Sequence, residues 1–259
     1  MKSNHSQIQH GQNNGSNFCR TNFNTISQQD VWVWAPVLAS EPQDMLLKWI
    51  HTVEAAGFCN IILIFNGSGS ESASLALRKA VSSRQVQFES LPGSASIGRC
   101  QNLAMHLFLR SDALFMARID PDGQFPIYCL ERLLHLFMEK IPPDVIVGQR
   151  DEAGVAGRSR FLGNIFLRLI ALYSGIFADP NSGLYIMNRR AAALLCSVPL
   201  PKYPEPRMLA SLREGSLRIA TGVIPILRRQ SGTSSIKGLW RSIRVFAGSL
   251  MEMKSCNLL

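Results

Sequence analysis

Ile119-Asp120-Pro121-Asp122-Gly123-Gln124-Phe125-Pro126 is the stretch on which the reading of this chain turns. An apolar run, Ala113-Leu114-Phe115-Met116-Ala117, precedes it and reads as a buried strand. Gly123 and Pro126 close that strand, and Leu130, Leu133, Leu134 and Phe137 follow at helical spacing. Two carboxylates two residues apart at a strand's C-terminal end can converge on one divalent cation. Hard oxygen ligands of this kind suit Mg²⁺ or Mn²⁺ held together with substrate phosphates. An isolated Asp-x-Asp is more often a solvated surface turn. Here the strand before it, the helix behind it and the motifs downstream weigh for the metal.

Working outward, strands and helices alternate on both sides of this turn. Val31 to Val37 reads as a strand, 43–56 as a helix with Leu46, Leu47, Ile50 and Val53 on one face, and Ile61 to Phe65 as a second strand. A helix over 71–81, a short strand from Val86 to Glu89 and a helix over 97–110 lead into the strand before Asp120. Asp144 to Gly148 and Leu184 to Met187 are further strands, Arg189 to Cys196 a helix, and a helix opens at Tyr203-Pro204-Glu205-Pro206. Leu217 to Leu227 reads as the last strand. Such alternation predicts an α/β domain whose mostly parallel sheet is flanked by helices, with ligands beyond the strands' carboxyl ends. The turns at 66–70 and 120–124 both fall at that edge.

The 259 residues suffice for one large domain of this kind. Residues 1–29 are rich in Asn, Gln and Ser and predict a disordered extension, so the domain spans 30–235. Residues 236–259 form a tail in which Leu239, Ile243, Phe246 and Leu250 share a helical face and Lys237, Arg241 and Arg244 make a basic row. Such a helix lies in a membrane interface or docks on the protein's own core. The apolar stretch Phe161 to Ala178 contains Asn164 and Arg168, which argues for a buried or interface-lying helix over a membrane span.

Charge is unevenly spread. Residues 1–150 carry 12 Lys+Arg and 12 Asp+Glu, whereas residues 151–259 carry 15 and 6. The second part therefore faces an anion, whether phosphorylated substrate, membrane surface or nucleic acid, or is a solvated basic face. No recognition-helix or aromatic-platform pattern supports nucleic acid. The six cysteines are widely spaced, without Cys-x-x-Cys, which excludes the common zinc and redox motifs. The N-terminus lacks an apolar signal region, and the expected location is cytoplasmic.

Taken in order, several segments resemble family 2 glycosyltransferases of the GT-A fold, especially the branch with dolichyl-phosphate mannosyltransferase and bacterial polyprenyl-phosphate sugar transferases. They are the strand end at Pro36, Asn66-Gly67-Ser68, the Asp120 to Pro126 segment and Val147-Gly148-Gln149-Arg150. Asp179-Pro180-Asn181-Ser182-Gly183, Tyr203-Pro204-Glu205-Pro206 and Arg229-Gln230-Ser231-Gly232 complete the series. The resemblance implies that Asp120 and Asp122 bind Mg²⁺ or Mn²⁺ bridging the phosphates of a nucleotide-sugar donor, with Gln124 beside them. It places Pro36, Glu41 and Asn66 in the nucleotide pocket, Asn66 being equally readable as a turn residue.

Acceptor chemistry divides the reading. A lipid phosphate is already an anion and needs only cations to hold it, for which Arg158, Arg160, Arg228 and Arg229 are candidates. A hydroxyl, on a glycan or elsewhere, needs a base, and Glu205 is the candidate by motif; it also reads as a helix-start acid. Asp179 reads either as orienting the acceptor loop or as capping its turn. The basic second half favours a polyprenyl or dolichyl phosphate at the membrane's cytoplasmic face, reached by peripheral contact. Two departures stand against the family pattern: Val37-Leu38-Ala39-Ser40-Glu41 keeps one acid of Pro-x-Tyr-Asn-Glu-Glu, and Phe65 replaces an Asp. They motivate a further alternative, a catalytically silent domain with a binding or scaffolding role.

Overall fold

The first strand, β1 (Val31–Leu38), alternates as a strand covered on both sides must. Val31, Val33, Ala35 and Val37 enter one hydrophobic cluster, and Trp32 and Trp34 enter another on the opposite face. A computed structural model, which describes residues 26–81, 85–93, 96–151, 178–179 and 182–227, shows this strand near the centre of a seven-stranded sheet. The others are β2 (Asn60–Asn66), β3 (Val86–Leu91), β4 (Phe115–Arg118), β5 (Val145–Asp151), β6 (Tyr185–Asn188) and β7 (Ile219–Pro225). Their order is β3-β2-β1-β4-β6-β5-β7. Neighbours pair in parallel except at β6, which runs against both β4 and β5.

Two helical layers cover the sheet. Buried residues of α1 (Gln43–Ala55), α2 (Ser70–Ala80) and α4 (Tyr128–Leu134) join the cluster that holds Val33. Those of α3 (Ile97–Arg110), α5 (Arg189–Cys196) and α6 (Glu205–Glu214) join the cluster that holds Trp34. Helix α3 shows how local chemistry fixes an element. Ser96 caps its start by accepting from the Arg99 N–H at 3.4 Å. At its other end the Arg189 guanidinium donates to the carbonyls of Phe108, Leu109, Ser111 and Ala113 at 2.6–3.3 Å. A cation there satisfies orphan carbonyls and complements the negative end of the helix dipole. Gly98 lets α3 approach the segment before α6: an added Cβ would lie 1.9 Å from the Pro201 carbonyl oxygen.

The predicted α/β architecture with a mostly parallel sheet is the one observed, and α3 and α5 run over the residues expected. Residues 26–29, expected in the disordered extension, are structured. A 3-10 turn, Gln28–Asp30, precedes β1, held by a capping box in which the Ser27 N–H donates to Asp30 Oδ2 at 2.9 Å and the Gln29 N–H donates to Ser27 Oγ at 3.2 Å, and Ile26 packs on the core. Among the described residues no helix is long and apolar enough to cross a membrane. Residues 161–177 of the first predicted apolar helix and the whole of the 236–259 tail lie outside the described residues, as do residues 1–25.

Candidate active site

Because β1, β2, β4 and β5 point the same way, their C-terminal ends form one edge, and antiparallel β6 brings its N-terminal end there. Arg118 is the last residue of β4. In register it stands between Trp34 of β1 and Tyr185 of β6, on the face covered by α3, α5 and α6. A guanidinium in that row is almost fully buried, at 1% exposure, so it must find anionic partners.

It finds two. Nε donates to Asp120 Oδ1 at 3.0 Å and Nη2 to Oδ2 at 3.4 Å, while Nη1 donates to Glu205 Oε1 at 2.6 Å. Its charge also lies 5.6 Å from the centre of the Trp34 ring, within cation–π range. Burial by itself would lower the Arg118 pKa; Asp120 and then Glu205 outweigh this and push it up, so the group stays ionised. Burial raises the Tyr185 phenol, with Arg118 pulling the other way, and the phenol keeps its proton. Its hydroxyl makes no hydrogen bond of ordinary geometry among the described residues.

Asp120 and Asp122 share the turn after β4. Asp120 keeps 29% of its side chain exposed beside Arg118, whereas Asp122 is buried and its Oδ1 accepts from the Gln124 N–H at 3.0 Å. Gly123 makes this turn with φ +75°, a conformation that favours glycine. Gln124 is buried, and its carbonyl accepts from the Leu227 N–H at 2.8 Å, tying the turn to the chain beyond β7. Glu205 opens α6, where its charge also suits the helix's positive end.

The donor set fits a divalent cation in a particular way. Among the described residues no three His, Cys, Asp or Glu side chains gather into a ligand cluster; the two carboxylates of this turn can supply part of a cation's oxygen shell, beside phosphate and water. A carboxylate has about four lone-pair sites, so Asp120 can accept from Arg118 and still face a cation. One guanidinium against the two carboxylates Asp120 and Glu205 leaves that triad with a net negative charge.

Asn66 ends β2, buried, with its amide donating to the Val37 carbonyl at 3.0 Å and accepting from the Ser96 N–H at 3.1 Å. It braces the loop before α3, and its φ is not left-handed. Pro36 lies within β1 opposite Ile64, and Glu41 donates its N–H to the Leu38 carbonyl in the turn that follows. Phe65 is buried in the core. Asp179 pairs with Arg150 at the end of β5 through two bonds of 2.7 and 3.1 Å. Arg158, Arg160, Arg228 and Arg229 lie outside the described residues. The sequence reading missed Arg118 and Tyr185. The available signal for Arg118 was parity, since it lies two residues before Asp120 and on the same face of the strand as Met116.

No family model matches the sequence, and no curated protein matches it. Solved structures do. Glucosyl-3-phosphoglycerate synthase from Mycobacterium tuberculosis, in complex with UDP, is similar over 86% of this chain and 80% of its own, with a TM-score of 0.59 at 17% identity. The same synthase with phosphoglyceric acid gives a TM-score of 0.61 at 18% identity over 86% and 80%. Its complex with Mn²⁺, UDP and glucosyl-3-phosphoglycerate gives 0.61 at 18% over the same shares.

The chain has the GT-A fold. In this GT-A sheet the Asp120–Asp122 turn, Gly183 and Glu205 meet at one edge around Arg118. All three are complexes of one phosphoglycerate-linked synthase, and they do not show the narrower resemblance to the polyprenyl-phosphate branch.

Proposed function

We propose that this chain is a metal-dependent glycosyltransferase that moves a hexose from a nucleoside diphosphate donor to a phosphate-bearing acceptor. One observation carries the reading: Asp120 and Asp122 stand together at the C-terminal edge of a GT-A sheet, with Asp120 held in place by the buried Arg118. The Mn²⁺ and UDP bound by the similar synthase support the same chemistry here. Asp120 and Asp122 would hold Mg²⁺ or Mn²⁺, which offsets the charge that grows on a departing diphosphate. Asp120 would meet it directly, and the Gln124 N–H fixes Asp122 in the turn.

A phosphate-bearing acceptor is favoured by the excess of Lys and Arg over residues 151–259 and by the phosphoglyceric acid bound to the similar synthase. Its source is a membrane lipid phosphate or a small soluble phosphate, and a lipid source would place the protein at the inner face of the membrane. The competing reading, a hydroxyl acceptor with Glu205 as base, draws on the closeness of Glu205 to the Asp120 turn. The 2.6 Å bond from Arg118 occupies Oε1 and lowers the basicity of the group, so the proton would have to go to Oε2.

The test is to titrate UDP, GDP, dTDP and CDP against the protein with and without Mn²⁺, alongside Asp122→Ala. Mn²⁺-dependent binding of one nucleotide, lost in the variant, is the expected result. Absence of binding by all four would leave a silent domain of the same fold. With the donor known, sugar transfer to polyprenyl phosphate vesicles or to phosphoglyceric acid separates the two acceptor sources.

A further inference from the structure

We propose that Glu205 is a positioning residue for the donor side: it anchors Arg118 from α6 so that Arg118 can hold the Asp120 carboxylate toward the metal and diphosphate. The inference rests on the donor-site reading above and deepens it. Helix α6 starts 87 positions after Arg118, yet its first residue is tied to the turn after β4 by one side chain.

The geometry explains why both partners are needed. Arg118 reaches Asp120 with Nε and Nη2 and Glu205 with Nη1, so its fork is engaged on two sides at once. Its side chain is 2% exposed and that of Glu205 is 11%, so water is a poor substitute for either partner. Asp120, at 29%, is the member that opens to solvent, which makes it the working end of the triad. A guanidinium released by Glu205 would keep its two bonds to Asp120 but lose its anchor to α6, so that the Arg118–Asp120 pair could shift as a unit. The carboxylate would then lose the single orientation that lets it serve a metal.

Charge and geometry can be separated by two substitutions. Glu205→Gln and Glu205→Ala both remove the negative charge, but only Gln keeps an oxygen that accepts from Nη1. The experiment measures the dissociation constant of UDP, or of whichever of the four nucleoside diphosphates binds, with Mn²⁺ and without it. Glu205→Gln is expected to stay within about threefold of the unaltered protein, whereas Glu205→Ala weakens Mn²⁺-dependent binding by about tenfold or more, the scale of one charge-assisted hydrogen bond. Metal-free nucleotide binding should not change in either, a split that a general loss of structure would not produce. If Glu205→Ala lowers the melting temperature too far for titration, Arg118→Lys gives the second reading. It keeps the charge but cannot span both carboxylates, and it should show the same selective tenfold loss.

Unchanged Mn²⁺-dependent affinity in Glu205→Ala, or in Arg118→Lys where the former does not fold, would overturn the positioning role while leaving the donor site intact. Loss in Glu205→Gln as large as in Glu205→Ala would also overturn it, since the charge alone would then matter. Failure of the unaltered protein to bind any nucleotide overturns the donor-site reading itself, and the positioning role with it.

Discussion

A Cβ placed on Gly183 would stand 2.5 Å from Asp120 Oδ2. The chain entering β6 is thus packed against the carboxylate that the Asp120 turn presents, and a methyl there requires that carboxylate to move. Gly183→Ala should push the Asp120 side chain away while leaving the sheet intact. The expected result is a loss of Mn²⁺-dependent nucleotide affinity of about tenfold or more, with about 1 kcal/mol of stability lost to overpacking. Titration calorimetry and urea unfolding read the two effects separately.

Arg118 carries a larger structural burden. Arg118→Met leaves Asp120 and Glu205 facing each other's charge without their shared cation. Breaking a buried pair from one side costs about 3–5 kcal/mol, and urea denaturation should show a loss on that scale. The triple variant Arg118→Met, Asp120→Asn, Glu205→Gln removes all three charges and should recover most of it, although it will not bind metal.

Arg189 acts far from the site, and its effect should be confined to stability. Arg189→Met removes donors to four carbonyls at the end of α3 and a cation from a helix C-terminus. A loss of about 2–3 kcal/mol is expected, with the nucleotide dissociation constant unchanged. Arg189→Lys should recover part of it.

Alkaline pH should destabilise the protein through its buried thiols. Burial pushes Cys100 up from its ordinary value of 9.0 to about 12, and Cys129 to about 11. Above pH 9 the unfolded chain loses these protons while the folded chain keeps them. Stability therefore falls between pH 9 and about 11–12, by up to about 1.4 kcal/mol per pH unit for each thiol. The raised Tyr185 phenol adds to the fall in the same direction. Unfolding curves measured from pH 8 to 11 should steepen in this way, and Cys100→Ala should flatten them.

Much of the sheet was legible because its strands are covered on both faces and read as short apolar runs, as Ile61 to Phe65 and Ala113 to Ala117 do. The turn after β4 was legible because Gly and Pro mark it and two acids fill it. What the sequence concealed is pairing at long range. Arg118 ends an apolar run, as many unremarkable charges do, and only the fold reveals that its partner is Glu205. Glu205, for its part, reads as a base or a helix-start acid until the guanidinium beside it is seen. Asn66 was placed at the right edge, but its amide is committed to Val37 and Ser96, contacts that no local pattern encodes. The reversed direction of β6 is equally silent in its own four residues.

Trp34 lies beneath Arg118, in the strand beside it, and is fully buried. Indole emission responds to nearby charge, so this ring is a built-in optical probe of the candidate site. Shifting the Arg118 guanidinium, whether by nucleotide and Mn²⁺ or by substitution at Glu205, should alter its fluorescence. Replacing Trp34 by Phe should remove that signal while the emission of the other three tryptophans, Trp32, Trp49 and Trp240, persists. Occupancy of the candidate site can then be followed in real time without a label.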